Sequence, residues 1–454
     1  MRRLAQFVAR SSGWLSRRLG RGGGTTLPGV VLLKLRPRAA EELAAPLARG
    51  SIAISATNGK TTTTRLLRSA TDAAGIPTVA NTAGSNLLRG VTAALLADGE
   101  DAELGLFEVD EAALPSVVDQ VKPRVVVLMN LFRDQLDRYG ELETLVETWR
   151  TMIAQLPADT TLVLNADDPA VAFLGHERAN TVWFGVDDTS ISRTEQSHAA
   201  DSTHCPRCDN PLTYDLVGIG HMGHWRCEHC GLARPTPTVS ATHVEVRGVD
   251  GFDITIATPS GPVTASVALP GLHNAYNATA AVAAAQALGL ETSLLPAALA
   301  ETDAAFGRGE HVDIGDKQLV MLLAKNPTGA NENVRAALTH TGDLHVVIFL
   351  NDRTADGQDV SWIWDVDYEP LFDRVSALTV AGERAHDLAL RCIYGGADAD
   401  ALVVEPDPGK ALDTALAAAG PGDTVFALPT YTAMLDLRAE LVRRDLVVPF
   451  WEDA

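Results

Sequence analysis

Short apolar runs alternate with helix-forming stretches along the first half of the chain. The stretch 61–74 is helix-forming and follows directly on one of these runs. Strands that alternate with helices predict a parallel sheet in an α/β domain. Five runs have the length and composition of buried strands: 51–56, 104–109, 125–129, 162–164 and 182–184.

Residues 189–265 interrupt this alternation. They contain two pairs of cysteines and short β-like segments at 242–246 and 253–258, which predicts an insertion. Helical sequence resumes at 274–288, where alanine, the strongest helix former, dominates.

A second α/β unit begins near Gly315. Three helical stretches, 331–340, 384–394 and 409–419, separate its strands. The pattern divides the chain into a leader (1–50), a central domain (51–310) and a C-terminal domain (311–454). The predicted strands of the C-terminal domain are 319–323, 345–350, 377–380, 402–404 and 424–427.

Charge is unevenly distributed along the 454 residues. The net charge is −21, an acidic balance that argues against nucleic-acid binding. Residues 1–50 contain ten basic and two acidic side chains, a net of +8, which leaves −29 for the remainder.

The leader has the pattern of a basic amphipathic helix. Such a helix lies on an anionic membrane or holds an anionic ligand, and the alternative is a solvated helix with one buried face; the pattern leaves both open. No apolar run reaches the ~20 residues that span a bilayer, and Arg10 interrupts any signal-peptide core. We therefore expect a cytoplasmic protein, with contact at the inner face of the membrane left open. The apolar positions of the leader that fall near helical spacing are Leu4, Phe7, Val8, Trp14, Leu15 and Leu19.

A phosphate-binding loop is predicted at 55–63, S-A-T-N-G-K-T-T-T, between a strand and a helix. Backbone N–H groups at a helix start bind phosphate, Lys60 would reach the β- and γ-phosphates of ATP, and the Thr61 hydroxyl would bind Mg²⁺. Ile54 occupies the first glycine position of the common P-loop, so this loop is a shorter one.

The cysteines form two C-x-x-C pairs separated by eighteen residues. This spacing predicts a zinc ribbon with a closed, structural Zn²⁺ site, and Gly231 suits the turn after the last cysteine. Cys392 lies far away in the sequence and is expected in the core. The predicted ligands are Cys205, Cys208, Cys227 and Cys230.

Five motifs, in order, resemble those of the Mur ligase superfamily: T-N-G-K-T-T-T at 57–63, F-E-V-D-E at 107–111, N-L-F-R-D-Q-L-D-R-Y at 130–139, G-L-H-N-A-Y-N at 271–277 and F-G-R-G-E at 306–310. The resemblance implies ATP binding by Thr57, Asn58, Gly59, Lys60, Thr61 and Thr62. It further implies Mg²⁺ binding by Thr61 and Glu108, contacts of Asn274 and Asn277 at the adenine end, and a contact of Arg308 with phosphate.

Three positions depart from the superfamily pattern. Ala56 replaces a common glycine, and Gln135 replaces a histidine that helps to hold a second Mg²⁺. Arg150 stands where a carbamylated lysine is usual, and arginine stays protonated. The second metal site is therefore expected to be absent or rebuilt, with Arg150 as a candidate for the missing positive charge.

The zinc ribbon and the short leader resemble one branch of the superfamily, the MurT-type subunit of lipid II isoglutaminyl synthase. L-A-K-N-P-T-G at 323–329 resembles the segment that faces the nucleotide across the domain gap in this branch, so the resemblance implies that Lys325 and Asn326 belong to the ATP site. The resemblance further implies that an aspartate of the C-terminal domain completes the active site of a glutaminase partner. Asp352, Asp356 and Asp359 are the candidates, and the position of Asp352 at a strand end favours it.

The resemblance implies an α/β protein with a Mur ligase-type central P-loop domain, a ribbon inserted at about 198–235 and a Rossmann-like C-terminal domain. The implied activity is ATP-dependent amidation of D-isoglutamate in the lipid II stem peptide through an acyl phosphate, with ammonia from a class I glutaminase of the GatD type. Two alternatives are a free-standing amino-acid ligase similar to folylpolyglutamate synthase and a non-catalytic zinc-ribbon scaffold.

Overall fold

The structure is a computed structural model, and it describes residues 2–18, 26–81, 85–133, 142–193, 196, 198, 200–302 and 308–448. These residues form a nine-stranded sheet, a six-stranded sheet and a separate two-stranded hairpin. The two large sheets are rich in parallel strands, which confirms the predicted α/β fold class, and each has its own buried cores.

The nine-stranded sheet has the order β11-β10-β9-β6-β5-β4-β1-β3-β2. All neighbours from β2 to β9 are parallel, whereas β10 is antiparallel to both β9 and β11. Its strands are β1 (Ser51–Ser55), β2 (Thr78–Ala80), β3 (Leu104–Glu108), β4 (Val125–Leu128), β5 (Thr161–Asn165), β6 (Thr181–Val186), β9 (Val239–Val246), β10 (Phe252–Ala257) and β11 (Val263–Val267).

The prediction that all of 189–265 is an insertion is therefore wrong for its second half. β9 pairs with β6, and β10 then continues the main sheet. Antiparallel strands with one solvated face alternate apolar and polar residues, and this alternation made the segment look foreign to a parallel sheet.

Helices cover both faces of this sheet. Those packed on one face are α4 (Lys60–Ala73), α9 (Leu272–Leu288) and α10 (Leu295–Ala300). Those packed on the other are α3 (Ala39–Ala44), α5 (Leu88–Asp98), α6 (Leu114–Val121), α7 (Leu142–Gln155) and α8 (Pro169–Leu174). Almost every residue of α9 is buried, and its alanines let it lie close to both α4 and the sheet.

The two-stranded hairpin carries the cysteines. It consists of β7 (Thr213–Val217) and β8 (Gly223–Arg226), which are antiparallel. Cys205, Cys227, Trp225 and Leu232 form a small core of its own together with Ala172 of α8.

The six-stranded sheet has the order β12-β13-β17-β14-β15-β16 and is parallel except for β12. Its first strand begins at Arg308 and so crosses the boundary predicted between 310 and 311. The description of this domain as Rossmann-like stays a prediction. Its strands are β12 (Arg308–Ile314), β13 (Lys317–Leu322), β14 (Leu344–Phe349), β15 (Val375–Ala381), β16 (Val403–Val404) and β17 (Thr424–Pro429).

Five helices cover this second sheet. Those on one face are α11 (Pro327–Leu338), α12 (Glu369–Phe372) and α13 (Ala385–Tyr394). Those on the other are α14 (Pro408–Ala418) and α15 (Tyr431–Arg443).

The leader is helical and packs on the central domain. α1 (Arg2–Arg18) lies on α2 (Leu27–Leu35), and Ala9, Leu32 and Leu96 form a small buried cluster between α1, α2 and α5. Of the helices in the described ranges, none combines the length and the apolar character that a membrane crossing needs.

Candidate active site

The phosphate loop joins β1 to α4, as predicted. Gly59 precedes the helix with φ of +92°, and a Cβ atom built there would lie 2.0 Å from Asn277 Oδ1. The position therefore needs glycine both for its backbone and for space. No side chain of the described residues caps the start of α4, so the N–H groups of its first turn, including those of Thr61 and Thr62, are available to an anion.

Lys60 is paired with an acidic side chain at the start of α4. Its Nζ lies 2.7 Å from Glu111 Oε2, and both side chains are more than nine-tenths buried. Nζ also donates to the carbonyl oxygen of Ala56 and, at 3.5 Å, to that of Thr57. The sequence motif indicates Lys60 but not its partner, because 51 residues separate the two and only the fold brings them together.

Glu108 ends β3 beside the phosphate loop. The parallel register sets Ile54 opposite Glu108, which is 4% exposed. Asn81 fixes the backbone of Glu108 with two hydrogen bonds, of 3.0 Å to its N and 2.9 Å to its O. Hydroxyl and carboxylate oxygens are ligands that Mg²⁺ accepts, so the donor set of Thr61 and Glu108 fits this ion.

Two side chains hold the loop against the segment after β4. Asn130 Oδ1 accepts from Asn58 N and its Nδ2 donates to Asn58 O, both at 2.9 Å. The Thr57 hydroxyl accepts from Phe132 N at 3.0 Å and lies 3.3 Å from Phe132 O. Thr57 is 3% exposed, so its hydroxyl stabilises the loop from the buried side.

The start of α9 packs against the same loop. Asn277 touches Gly59, its carbonyl oxygen lies 3.4 Å from Thr63 Oγ1, and its Nδ2 donates to Asn274 Oδ1 at 2.8 Å. Asn274 donates in turn to Pro270 O at 2.7 Å. The two asparagines are thus brought to the phosphate loop, and their contact with adenine stays a prediction.

The C-terminal domain contacts the loop through Asn326. This residue is 1% exposed and caps α11 by accepting from Gly329 N at 2.8 Å. Asn326 Nδ2 donates to Asn58 Oδ1 at 2.9 Å, and Asn58 Nδ2 lies 3.3 Å from Asn326 Oδ1. The neighbouring Lys325 is half-buried. Both predicted residues therefore lie at the gap between the domains.

Two buried aspartates after β5 were missed by the sequence analysis. Asp167 accepts from Arg234 Nε at 2.6 Å and from the Tyr276 hydroxyl at 2.8 Å, while burial raises the pKa of its carboxyl group. Asp168 caps α8 and accepts from Leu131 N at 2.9 Å. The signal was present, because Asp before Pro is typical of a helix start.

Several predicted residues lie elsewhere or are not fully described. Arg150 is 61% exposed and binds Glu147 at 2.8 Å on the surface of α7. The hypothesis that it supplies charge to the phosphate site is therefore wrong. Gln135 lies outside the described residues. Arg308 is the first residue of β12, opposite Leu322, so its backbone belongs to the C-terminal sheet.

The three candidate aspartates have different surroundings. Asp352 follows β14 and accepts from Arg384 Nη1 at 2.9 Å, with 29% of its side chain exposed. Asp356 is buried and accepts from Thr432 N at 2.7 Å and from the Thr432 hydroxyl, while burial raises the pKa of its carboxyl group.

Asp359 is exposed, and hydrogen bonds from Ser361 lower its pKa. Asp352 and Asp359 are thus accessible to a partner, whereas Asp356 joins its loop to the start of α15.

An exposed apolar group lies near these aspartates. Trp362 packs on the core of the C-terminal domain, whereas Trp364 is 49% exposed. The Trp364 and Tyr394 rings meet edge to face at 6.0 Å, and Leu390 and Ile393 of α13 are exposed beside them.

The four cysteines converge. Their Sγ atoms lie within 4.8 Å of one another, at 3.6 Å for Cys205–Cys230 and 3.5 Å for Cys208–Cys227. A tetrahedral Zn–S₄ site with bonds of ≈ 2.3 Å has sulfur separations of about 3.8 Å, so the cluster fits Zn²⁺. None of these cysteines is in a disulfide.

Matched turns hold the two cysteine pairs. Gly231 follows the second pair with φ of +73° and donates to Cys227 O at 3.0 Å. Asp209 follows the first pair with φ of +59° and donates to Cys205 O at 2.9 Å. Hydrogen bonds from Asn210 lower the pKa of Cys208 to about 6, whereas burial raises that of Cys205 to about 12.

Comparisons with known proteins agree with these motifs. The model of the Mur ligase middle domain matches residues 54–215, and that of the MurT ligase C-terminal domain matches 323–434. The chain is 32% identical over 437 residues to the MurT subunit of lipid II isoglutaminyl synthase (glutamine-hydrolyzing) of Staphylococcus aureus strain N315, covering 94% of this chain and 95% of the relative. The chain belongs to the MurT family.

A second member of the family, from Streptococcus pneumoniae strain ATCC BAA-255 / R6, is 31% identical over 98% of both chains. Family membership makes the chain a Mur-type ATP-dependent ligase. This confirms the resemblance and the enzyme class predicted from the sequence.

Solved structures show the same fold at lower identity. A pseudomurein peptide ligase type C from Methanothermus fervidus has a TM-score of 0.71 at 21% identity, covering 89% of this chain and 80% of its own. Folylpolyglutamate synthase of Mycobacterium tuberculosis, complexed with ADP and AMPPCP, has a TM-score of 0.62 at 17% identity, covering 90% and 96%. At these identities the likeness establishes the Mur ligase fold.

Proposed function

We propose that this chain is the ligase subunit of a glutamine-hydrolysing amidotransferase that converts D-isoglutamate of the lipid II stem peptide to D-isoglutamine. The match to the S. aureus subunit over 94% of the chain carries the proposal, since it spans both the phosphate loop and the C-terminal domain. The relative is named for this reaction, and it is matched over 95% of its own length.

The contacts around the loop support ATP-dependent activation of a carboxylate to an acyl phosphate. N–H groups at the start of α4 would bind the phosphates, and Lys60 would stabilise the charge of the transferred group. Thr61 and Glu108 would hold Mg²⁺, which supplies further positive charge to the phosphate oxygens. Asn274, Asn277, Lys325, Asn326 and Arg308 complete the proposed nucleotide site. Ammonia then attacks the acyl phosphate, and phosphate leaves.

We assign the supply of ammonia to a separate class I glutaminase of the GatD type. The relatives are described as subunits of a glutamine-hydrolyzing enzyme, which requires a second polypeptide. The accessible carboxylates of Asp352 and Asp359, near the exposed group around Trp364, favour this domain as its binding surface.

The ribbon is proposed to hold one structural Zn²⁺. Four thiolates close the coordination shell and leave no position for a substrate. The acidic surface of the chain disfavours a nucleic-acid role for the ribbon. The proposed site of action is the cytoplasm.

The test is amide formation on lipid II in detergent, with ATP, MgCl₂ and ammonium chloride and without a partner protein. Mass spectrometry should detect amidated lipid II, and the Lys60→Ala variant should form none. Lys122→Ala is a matched control, because Lys122 is a surface lysine whose side chain is 62% exposed.

Two results would contradict the proposal. Turnover only with an added amino acid and another carboxylate would indicate an amino-acid ligase. ATP binding without turnover, even with glutaminase and lipid II present, would indicate a scaffold.

A further inference from the structure

Helix α1 exposes three of its larger apolar side chains and buries a small one. Leu4 is 67% exposed, Phe7 69% and Val8 44%, whereas Ala9 on the opposite side is fully buried against α2 and α5. An amphipathic helix that only completes a protein core has the reverse arrangement. Leu4, Phe7 and Val8 have the spacing i, i+3 and i+4, so they form one continuous outward face.

The helix is also strongly basic. Its sequence has five arginines and no acidic residue. Arg10 is 54% exposed and anchors the helix by donating to Leu96 O at 2.8 Å. The adjoining α2 adds Lys34 and Leu35, both exposed. This basic surface belongs to a chain whose remaining 404 residues have a net charge of −29.

We propose that the outer face of α1 docks on an anionic lipid bilayer, with Leu4, Phe7 and Val8 in the headgroup–acyl boundary. The arginines then lie among lipid phosphates. Charge complementarity selects this occupant, because an anionic membrane attracts the leader and repels the acidic remainder of the protein. The inference goes beyond the proposed function, since docking needs neither ATP nor lipid II.

The experiment is sedimentation of the full chain with vesicles of phosphatidylcholine containing phosphatidylglycerol, compared with vesicles of phosphatidylcholine alone. We expect binding to the anionic vesicles only, with loss of that binding at high salt. Burial of a phenylalanine and a leucine dominates the apolar contribution, so the Leu4→Ser/Phe7→Ser variant should bind at least about tenfold more weakly.

A matched pair tests whether the face is specific. Val8→Ser should weaken binding, whereas Val246→Ser, at a 38% exposed valine on β9, should not. Equal loss in both variants, or no binding to anionic vesicles, would overturn the inference. An altered oligomeric state of the double variant with unchanged vesicle binding would do so as well, because it would assign the face to a second copy of the chain.

Ammonium-driven amidation of lipid II in detergent separates this inference from the proposed function. The double variant should retain that activity fully, because Leu4 and Phe7 are exposed and α1 packs on α2 and α5, not on the elements that carry Lys60 and Glu108. Loss of vesicle binding with retained amidation supports docking by α1. Loss of both would overturn the assignment of this face to lipid alone.

Discussion

Single side chains around Lys60 determine the charge balance of the candidate active site. Lys60 and Glu111 form a buried ion pair, and Glu108 is held nearby at the end of β3. A lysine buried among carbonyl oxygens requires a counter-ion, and Glu111 provides it. An incoming phosphate group has to take over that role.

The first prediction concerns the Glu111→Gln variant. Removal of one charge from a buried pair leaves the other uncompensated, so the variant should lose about 3 kcal/mol of stability. MgATP should restore more stability to the variant than to the parent protein, because phosphate replaces the missing anion. Thermal unfolding with and without MgATP measures both effects.

Glu103→Gln, which removes a surface ion pair with Arg49, is the control and should have little effect. An unchanged midpoint for Glu111→Gln would contradict the prediction.

The second prediction separates the three aspartates. Asp356→Ala removes two hydrogen bonds to Thr432 from a buried group and should destabilise the C-terminal domain by about 2 kcal/mol. Asp352→Ala removes a partly exposed ion pair, so its stability should stay within about 0.5 kcal/mol of the parent.

Activity distinguishes the same variants. If Asp352 serves the glutaminase, Asp352→Ala retains amidation with ammonium chloride and loses amidation with glutamine and the partner. Asp359→Ala, measured in the same two assays, is the comparison. Loss of the glutamine-driven reaction in Asp359→Ala alone would transfer the role to Asp359.

At this scale the sequence predicts the residues of local motifs and misses those that the fold supplies. The phosphate loop and the cysteines are local patterns, so their positions followed from spacing. Glu111 and Asp167 act on residues far away in sequence, and no periodicity marks such pairs. The prediction for Arg150 was wrong for the same reason, since the exposure of this side chain depends on how α7 packs.

At the scale of elements, the ribbon is a small unit that depends on its cysteines. Its apolar core is limited to a few residues, including Trp225 and Leu232. A unit of this size is ordinarily stabilised by a metal. The hairpin is attached to the main sheet through Arg234, which binds Asp167.

The third prediction is that the purified chain contains one zinc ion, and that Cys208→Ser loses it because a four-thiolate site needs all of its ligands. Elemental analysis measures the metal. Cys392→Ser is the matched control, because Cys392 is buried in the C-terminal core and should leave the zinc content unchanged. Full zinc occupancy in Cys208→Ser would contradict the site.

All twelve strands that the sequence pattern singled out are present in the structure, with ends that differ by a few residues. The pattern failed at the border of the insertion, because β9 and β10 alternate like an independent β unit. Which strand pairs with which is decided by packing against α9, and a single strand's pattern does not encode it. The predicted limits of the ribbon, about 198–235, agree better with the hairpin than the wider range 189–265 does.

At the scale of the whole molecule, polar contacts join the two domains. Asn58 and Asn326 link the phosphate loop to α11. Arg193, just before the ribbon, binds the buried Glu332 of α11 at 2.9 Å, and burial raises the pKa of Glu332. The family motif placed Asn326 at the gap between the domains, near the nucleotide. No pattern in the sequence indicated the contact between Arg193 and Glu332.

The fourth prediction tests the Arg193–Glu332 contact. Arg193→Met removes the closer of two arginines beside the buried Glu332 carboxylate and leaves only Arg335, at 3.4 Å. The carboxylate is then less well compensated, so amide hydrogen exchange in α11 should accelerate. Adding Glu332→Gln to the same chain removes that charge and should restore most of the protection. Mass spectrometry of exchanged peptides measures both variants. If the double variant exchanges as fast as Arg193→Met, the charge is not the cause.

We expect the pairing of Lys60 with Glu111 to make the candidate site selective among anions. A small anion such as sulfate has to compete with the Glu111 carboxylate, which already lies 2.7 Å from the ammonium group of Lys60. Such an anion brings no cation that could pair with the displaced Glu111. A nucleotide that carries its own divalent cation exchanges one ion pair for another, because the released carboxylate meets a new positive charge. We therefore expect the lysine to favour polyphosphates that carry a divalent cation over other anions, before any chemistry begins.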